Sequence, residues 1–185
     1  MKYKNYSDYL KTRSYLSLLY RKYYLYPRLQ NELKNPVLDV GCGIGDYLRF
    51  NKKAIGADID EILIQNHNQE GLNAELIVNN KLNFKTNFFK SVILDNVLEH
   101  IENPLPLLKE INRVLDINGI LLIGLPGMKG FDNDPDHKKN YSKSELNEII
   151  EPLGLRLIKV KKLPLNINYL SRVMRQFCIY YYFIK

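Results

Sequence analysis

Along the first part of the chain the apolar positions recur at helical intervals. Between residues 5 and 33, Tyr6, Tyr9, Leu10, Tyr15, Leu16, Leu18, Leu19, Tyr23, Tyr24 and Leu25 fall three or four apart with Lys and Arg between them. That spacing predicts one or two amphipathic helices, ending near Pro27 or running on to Leu33. From Val37 the pattern changes to short β-branched runs alternating with helical ones. It predicts strands over 37–40, 54–58, 74–78, 91–95, 120–125 and 155–163, with helices over 46–51, 59–70, 104–115 and 142–151. Gly71 is a helix stop, and Ser142 with Glu145 has the spacing of a capping box, Ser142 or Ser144 being the cap. Leu105, Leu108, Ile111, Val114 and Leu115 form the expected buried stripe of the helix over 104–115, and Asn118-Gly119 the turn after it. The run FCIYYYFI at 177–184 favours a strand by its aromatic and β-branched content. A helix lying on a membrane interface over 166–184 is the competing reading.

The densest pattern is VLDVGCGIGDYL at 37–48: a short strand, glycines at 41, 43 and 45, and a resumed apolar pattern. Alternate glycines make a turn that lets a small molecule approach the backbone without a Cβ in the way. Compared with the dinucleotide fingerprint the third glycine comes one residue early. Asp46 also stands at the helix start, where it would repel a pyrophosphate, which disfavours NAD.

Asp39-x-Gly41-x-Gly43-x-Gly45, then Ile55-Gly56-Ala57-Asp58, then Asp95-Asn96-Val97-Leu98-Glu99-His100, then Arg113-Val114-Leu115 before Asn118-Gly119, resembles the class I S-adenosylmethionine-dependent methyltransferases. The likeness runs from about residue 36 to about residue 163, in the family's order and spacing. It implies an α/β fold: a doubly wound, Rossmann-like, seven-stranded and mostly parallel sheet with an antiparallel last strand, plus N-terminal helices. It also implies a division into an N-terminal helical cap over 1–35 and a cofactor-binding domain over 36–185. S-adenosylmethionine is the implied cofactor, held by Asp39, Gly41, Cys42, Gly43, Gly45, Asp58, Ile59, Asn79, Asn80 and Asn96. A loop edged by Asp39 and backbone amides suits the ammonium and carboxylate of its methionine end, and Asp58 can accept two hydrogen bonds from a ribose diol. Taken alone, Asp58 also reads as a helix N-cap. Two positions depart from the family pattern: Asn79-Asn80 stand where relatives commonly place an acid, and Lys90 where they often have Asp.

Composition sets outer bounds. The 185 residues are enough for one domain with a sizeable core. Two cysteines, Cys42 and Cys178, suggest no disulfide framework, and no signal-peptide pattern opens the sequence, so a reducing, cytoplasmic location is expected. No apolar run approaches the roughly 20 residues a membrane-spanning helix needs. The net charge of +7 is concentrated at the ends: residues 1–36 carry eight Lys/Arg against Asp8 and Glu32, and residues 156–185 carry seven and no acid. Basic ends around an acidic middle serve solubility, or meet an anionic small-molecule or carrier-linked acceptor, or touch a membrane surface. Interleaved Tyr and Arg can stack on bases, but no RNA-binding motif accompanies them, so nucleic acid is not assigned.

Methyl transfer from a sulfonium is an in-line displacement, so positioning supplies most of the rate and a base only removes the acceptor's proton. The candidates are His100, Glu99 and Asp95 after the fourth strand, with His137 and Tyr141 in the polar segment 127–141. His100 is the expected base for a hydroxyl acceptor, because its ordinary pKa is near working pH. The other reading of Glu99-His100 is a purely structural turn. The segment Asn96 to His100 also resembles the Glu-x-x-Glu-His stretch of ubiquinone-pathway O-methyltransferases and of small-RNA 2′-O-methyltransferases, which use it for metal. Here Asn96 replaces the first Glu, so the reading adopted has no metal; the alternative set would be Glu99, His100 and His137. A non-catalytic binding module that keeps the cofactor fold, and a metal-dependent RNA methyltransferase, are the competing functional readings. Acceptor and oligomeric state are left open, although a Tyr-rich last strand at a sheet edge would offer a pairing surface.

Overall fold

The structure is a computed structural model that describes residues 14–185. Tyr6, Tyr9 and Leu10 of the expected N-terminal helices lie outside the described residues. The chain begins with α1 (Tyr15–Tyr20), a π-helical turn (Arg21–Leu25) and α2 (Tyr26–Gln30). The wide turn ends two residues before Pro27, which has no N–H to give to the preceding turn and would crowd its carbonyl; a local change of helical register accommodates it. Leu25, Tyr26, Leu29 and Leu33 are buried in the same core as Val37, Tyr47 and Leu48.

The sheet follows with its helices: β1 (Val37–Val40), α3 (Asp46–Phe50), β2 (Ile55–Asp58), α4 (Glu61–Gln69), β3 (Ala74–Leu76), β4 (Phe89–Asp95), a 3-10 turn (Leu98–His100) and α5 (Leu105–Val114). Then come β5 (Leu115–Pro126), α6 (Met128–Asp132), α7 (Lys143–Ile150), a 3-10 turn (Glu151–Leu153), β6 (Arg156–Leu163), α8 (Leu170–Val173) and β7 (Cys178–Ile184). The seven strands form one sheet in the order β3-β2-β1-β4-β5-β7-β6, parallel through β5, with β7 antiparallel to both β5 and β6. Strand order reverses between β1 and β4, which opens a crevice at their carboxyl ends.

Several local expectations are corrected. The Tyr-rich β7 is no edge: it lies between β5 and β6, and the edges are β3 and β6. Alternate residues of β7 enter opposite cores, Tyr181 and Phe183 on the α5/α7 side and Tyr180 and Tyr182 on the N-terminal-helix side. A strand buried on both faces reads as a continuous apolar run, and the same fact excludes an interfacial helix there. Only Leu170–Val173 of that stretch is helical. In α5 the stripe is Leu107, Leu108, Ile111 and Val114, whereas Leu105 in the first turn is 38% exposed. β4 starts two residues early, at Phe89. β5 starts at Leu115, which pairs with Phe89; residues 116–119 then bulge out and exchange hydrogen bonds with Lys185 before Ile120 pairs with Ser91. The N-cap of α4 is Asp60, which accepts from the Ile62 and Leu63 N–H groups, so Asp58 is not the cap. Ser142 caps α7 in a complete capping box. No helix among the described residues is long and apolar enough to cross a membrane.

Two motif residues prove structural. Arg113 donates to the Phe84 and Leu82 carbonyls (both 2.9 Å) and holds the buried Glu110 carboxylate at 2.9 and 2.7 Å. Glu110 also accepts from the Leu82 N–H at 3.0 Å, and the Arg113 guanidinium holds its carboxyl down at about 2. Together they lace the loop between β3 and β4 to α5. Arg113→Ala is expected to lower stability by about 2–3 kcal/mol, since it strands a buried carboxylate and two carbonyls. Arg113→Lys should recover little, lacking the fork; thermal unfolding of both variants is the check. Lys90 pairs with Asp116 at the end of β4 away from the crevice, so its place in the pattern has no bearing on the site.

Candidate active site

β1 delivers Asp39 to the crevice and then turns sharply. The Gly41 and Cys42 N–H groups both donate to the Ala57 carbonyl of β2, at 2.7 and 3.2 Å, folding the loop back over the strand ends. Gly41 has φ +73°, and a Cβ there would come within 2.5 Å of Val97, so only glycine fits. Gly45, at φ +78°, opens α3; a Cβ on it would strike the His67 ring. His67, buried beneath the loop, lies with Nε2 2.7 Å from the Gly43 carbonyl. A carbonyl only accepts, so Nε2 carries the proton, and Nδ1 faces the interior without a partner. Nothing in the sequence pattern singled out His67; it sits on the inner face of an ordinary amphipathic helix.

Asp58 ends β2 and is tied into the loop. Its Oδ2 accepts from the Gly43 N–H at 2.8 Å and its Oδ1 from the Asp60 N–H at 3.1 Å, which leaves lone pairs on both oxygens. Ile59, next in the chain, is 79% exposed on the rim. Asn79 and Asn80 follow β3 in a tight turn closed by Lys81 N–H to the Val78 carbonyl at 2.9 Å, and both have positive φ, 50° and 58°. Asn tolerates that conformation better than most residues, which gives a backbone reason for amides at these positions. Gly45, Asp58, Ile59, Asn79 and Asn80 are not among the residues lining the cleft at the glycine turn.

That open cleft, of about 620 Å³, is lined by Asp39, Gly41, Cys42, Gly43, Ile44, Asp46, Asp95 and Asn96 on the sheet side, and by Arg21, Tyr26 and Leu29 from the N-terminal segment. Arg21 is the feature that sequence reading missed. It comes from the π-helical turn, with one guanidinium nitrogen 3.6 Å from Asp95 Oδ2 and 3.3 Å from the Tyr26 hydroxyl. It is the one basic side chain lining the cleft among the described residues, against three carboxylates. Burial, and then the charges of Asp95, Asp58 and Asp46, push the Asp39 carboxyl up to about 8. Asn96 has φ 57°; its amide N–H donates to Asp95 Oδ1 at 2.8 Å while its oxygen takes the Cys178 thiol at 3.7 Å. Both thiols are free and buried, and burial raises the pKa of each.

Beyond Asn96 the 3-10 turn carries Glu99 and His100. Glu99 is 1% exposed, and burial pushes its carboxyl up to about 8. The loop after β5 folds onto this turn: the Lys138 and Lys139 N–H groups donate to the Glu99 carbonyl at 2.6 and 3.2 Å. That brings His137 Nε2 to 3.8 Å from Glu99 Oε1 and the His137 ring to 4.6 Å from the His100 ring. Burial and the neighbouring His137 lower the His100 pKa. The sequence-predicted catalytic residues therefore fall in two places, Asp95 in the cleft and Glu99 with His100 in a cluster with His137. Tyr141 is buried just beyond the same loop.

A glycine turn over the switch point of a 3-2-1-4-5-7-6 sheet, with carboxylates at the ends of β1, β2 and β4, defines a class of cofactor-binding domain. Residues 38–123 match the family described as a methyltransferase domain, and the fold around them is similar to that of solved S-adenosylmethionine-dependent methyltransferases. An uncharacterized protein of Methanocaldococcus jannaschii is 30% identical over 134 residues, 66% of this chain. The match spans 65% of that relative's own length. Among solved structures the fold is similar to a methyltransferase of Thermotoga maritima described as a possible histamine N-methyltransferase, at 18% identity and TM-score 0.72, covering 97% of this chain and 98% of that one. It is also similar to a methyltransferase of Aquifex aeolicus, at 21% identity and TM-score 0.68, covering 98% and 99%.

Proposed function

We propose that the protein transfers the methyl group of S-adenosylmethionine to a small-molecule or carrier-linked acceptor. The observation that carries this reading is the charge arrangement of the cleft. An acidic pocket at a glycine turn, with one guanidinium entering from the opposite wall, is matched to a cationic sulfonium bearing an amino-acid zwitterion. In this reading Asp39 and the loop face the ammonium, Arg21 takes the carboxylate, Asp58 takes the ribose diol, and Asp95 and Asn96 border the transferred methyl. A paired guanidinium and carboxylate across the bound methionine end would fix the sulfonium's direction, which is what an in-line displacement requires. His100 is the candidate base for a hydroxyl acceptor. An anionic acceptor draws support from the basic ends only in part, because Lys159 and Lys161 both pair with Glu32, at 2.7 and 2.9 Å, and so tie the turn after α2 to β6.

The test is calorimetric titration with S-adenosylmethionine and S-adenosylhomocysteine, with NAD as the control. Micromolar binding of the first two alone is expected. Arg21→Ala should weaken S-adenosylmethionine about tenfold or more, the size of one charge-assisted hydrogen bond, while leaving its decarboxylated analogue nearly unaffected. No binding of S-adenosylmethionine by folded protein would end this reading. Binding with no turnover on any acceptor would move it to a non-catalytic binding module.

A further inference from the structure

A glycine turn is a flexible wall for a binding cleft unless something holds it. Glycine loses more backbone freedom on ordering than any other residue, and three stand at 41, 43 and 45. Gly43, the middle one, lines the cleft and has φ +52°. A turn that is ordered only when the ligand arrives lowers the ligand's affinity by the cost of ordering it, and a turn already held does not. Whatever fixes Gly43 in the free protein therefore counts toward binding.

Both main-chain groups of Gly43 are taken by side chains. Its N–H donates to Asp58 Oδ2 at 2.8 Å, at the end of β2, and its carbonyl lies 2.7 Å from His67 Nε2, on the inner face of α4. The second bond is shielded from water. His67 is 2% exposed, and its ring lies so close under Gly45 that a Cβ there would come within 2.9 Å of it. The next carbonyl, that of Ile44, accepts from Arg49, an exposed side chain that also pairs with Glu70 at the end of α4. Exposed ties of that kind contribute little, so the buried His67 bond is the stronger hold on the turn's carbonyls.

The other ring nitrogen shows that the imidazole is kept for this bond. Nδ1 is buried without a partner, a cost that an apolar side chain of similar size would avoid. Leu63 and Ile64, the other buried residues of α4, are apolar. A trans peptide points its carbonyl and its N–H in opposite directions, so His67 also fixes the side on which the Ile44 N–H stands. Ile44 lines the cleft as well.

We propose that His67 is a positioning residue for the cofactor, setting the Gly43–Ile44 peptide, and with it the glycine turn, before S-adenosylmethionine binds. This rests on the reading of the cleft as the S-adenosylmethionine site. His67 itself does not line the cleft and acts only through the turn.

Three variants test it. His67→Met removes the donor and keeps most of the volume, His67→Gln keeps an N–H at similar reach, and Ile64→Val loosens the same helix face without touching the turn. Calorimetry should show S-adenosylhomocysteine bound about tenfold more weakly by His67→Met, the size of one buried hydrogen bond, and within about threefold of the wild type by the other two. In ligand-free protein the Gly43 amide should exchange its hydrogen at least about tenfold faster in His67→Met and at the wild-type rate in the other two. A merely structural role would make affinity follow Tm across all three variants. That result, or wild-type affinity in His67→Met, would overturn the proposal. Should His67→Met fail to fold, nitrogen NMR of the wild type decides: a proton on Nε2, coupled to the Gly43 carbonyl, is expected, and a proton on Nδ1 overturns it. If the wild type binds neither S-adenosylmethionine nor S-adenosylhomocysteine, the functional reading fails and the cofactor role of His67 with it. Unchanged Gly43 exchange in His67→Met would remove His67 alone and leave that reading standing.

Discussion

Asp58→Ala is expected to weaken S-adenosylmethionine binding by about 100-fold, a larger loss than that expected of Arg21→Ala. The carboxylate does two things at once. It holds the glycine turn through the Gly43 N–H at 2.8 Å and the start of the next helix through the Asp60 N–H at 3.1 Å, and its remaining lone pairs face the position proposed for the ribose. Hydrogen bonds to a charged acceptor contribute about 1.5–3 kcal/mol each, and 2.7 kcal/mol corresponds to 100-fold in affinity. Alanine removes the ribose contacts and also frees the Gly43 N–H, so the turn loses its side-chain anchor to β2 and keeps only the two main-chain bonds to Ala57. Asp58→Asn keeps one carbonyl acceptor and should fall between the two. Asp60→Ala is the control, because it removes the cap of α4, at a cost of about 1 kcal/mol in stability, without touching the cleft. Calorimetry on the three variants separates the roles; wild-type affinity in Asp58→Ala would take this residue out of the site.

How much of this could be read before the fold was known depended on range. The strand, glycine turn and acidic strand end at residues 37–58 are local, since glycine spacing and a terminal carboxylate belong to a single β-α-β unit, and they appear where the pattern put them. The boundaries that moved did so for tertiary reasons. Leu105 has the spacing of the α5 stripe yet faces out in the first turn. β5 begins early because Leu115 pairs with Phe89 across a bulge that periodicity does not record. β7 looked like an edge because nothing in FCIYYYFI says that β6, earlier in the chain, will pair outside it. The site divides in the same way. Asp39, Gly41, Cys42, Gly43, Asp95 and Asn96 all line the cleft, whereas Arg21 enters it from a helix that precedes β1 and offered no motif. The nearness of His137 to Glu99 rests on two main-chain hydrogen bonds across 39 residues of chain, which no local pattern encodes.

The second large effect is a proton. Asp39 is 6% exposed, and its carboxyl is pushed up to about 8 by burial and by the charges of Asp95, Asp58 and Asp46, against the opposing pull of Arg21. In the unfolded chain it titrates near 3.9. Between those values the folded protein holds a proton that the unfolded chain has released, so the stabilisation is complete below the unfolded value and is lost as the pH rises toward and through about 8. Without ligand, the wild type should therefore lose stability from pH 5 to pH 8 relative to Asp39→Asn, by on the order of a few kcal/mol, read as a Tm gap that closes and then inverts. A cationic ligand reverses the preference, because an ammonium beside Asp39 favours its charged form. S-adenosylmethionine binding at pH 7 should then release a proton, and affinity should rise from pH 6 to pH 8 by at most about tenfold per unit. The gain should stop near pH 8, where an α-amino group begins to lose its own charge. Titrations in two buffers of different ionisation enthalpy measure the proton directly. Release by the wild type and none by Asp39→Asn would place the ammonium against this carboxyl; no release by the wild type would place it elsewhere in the cleft.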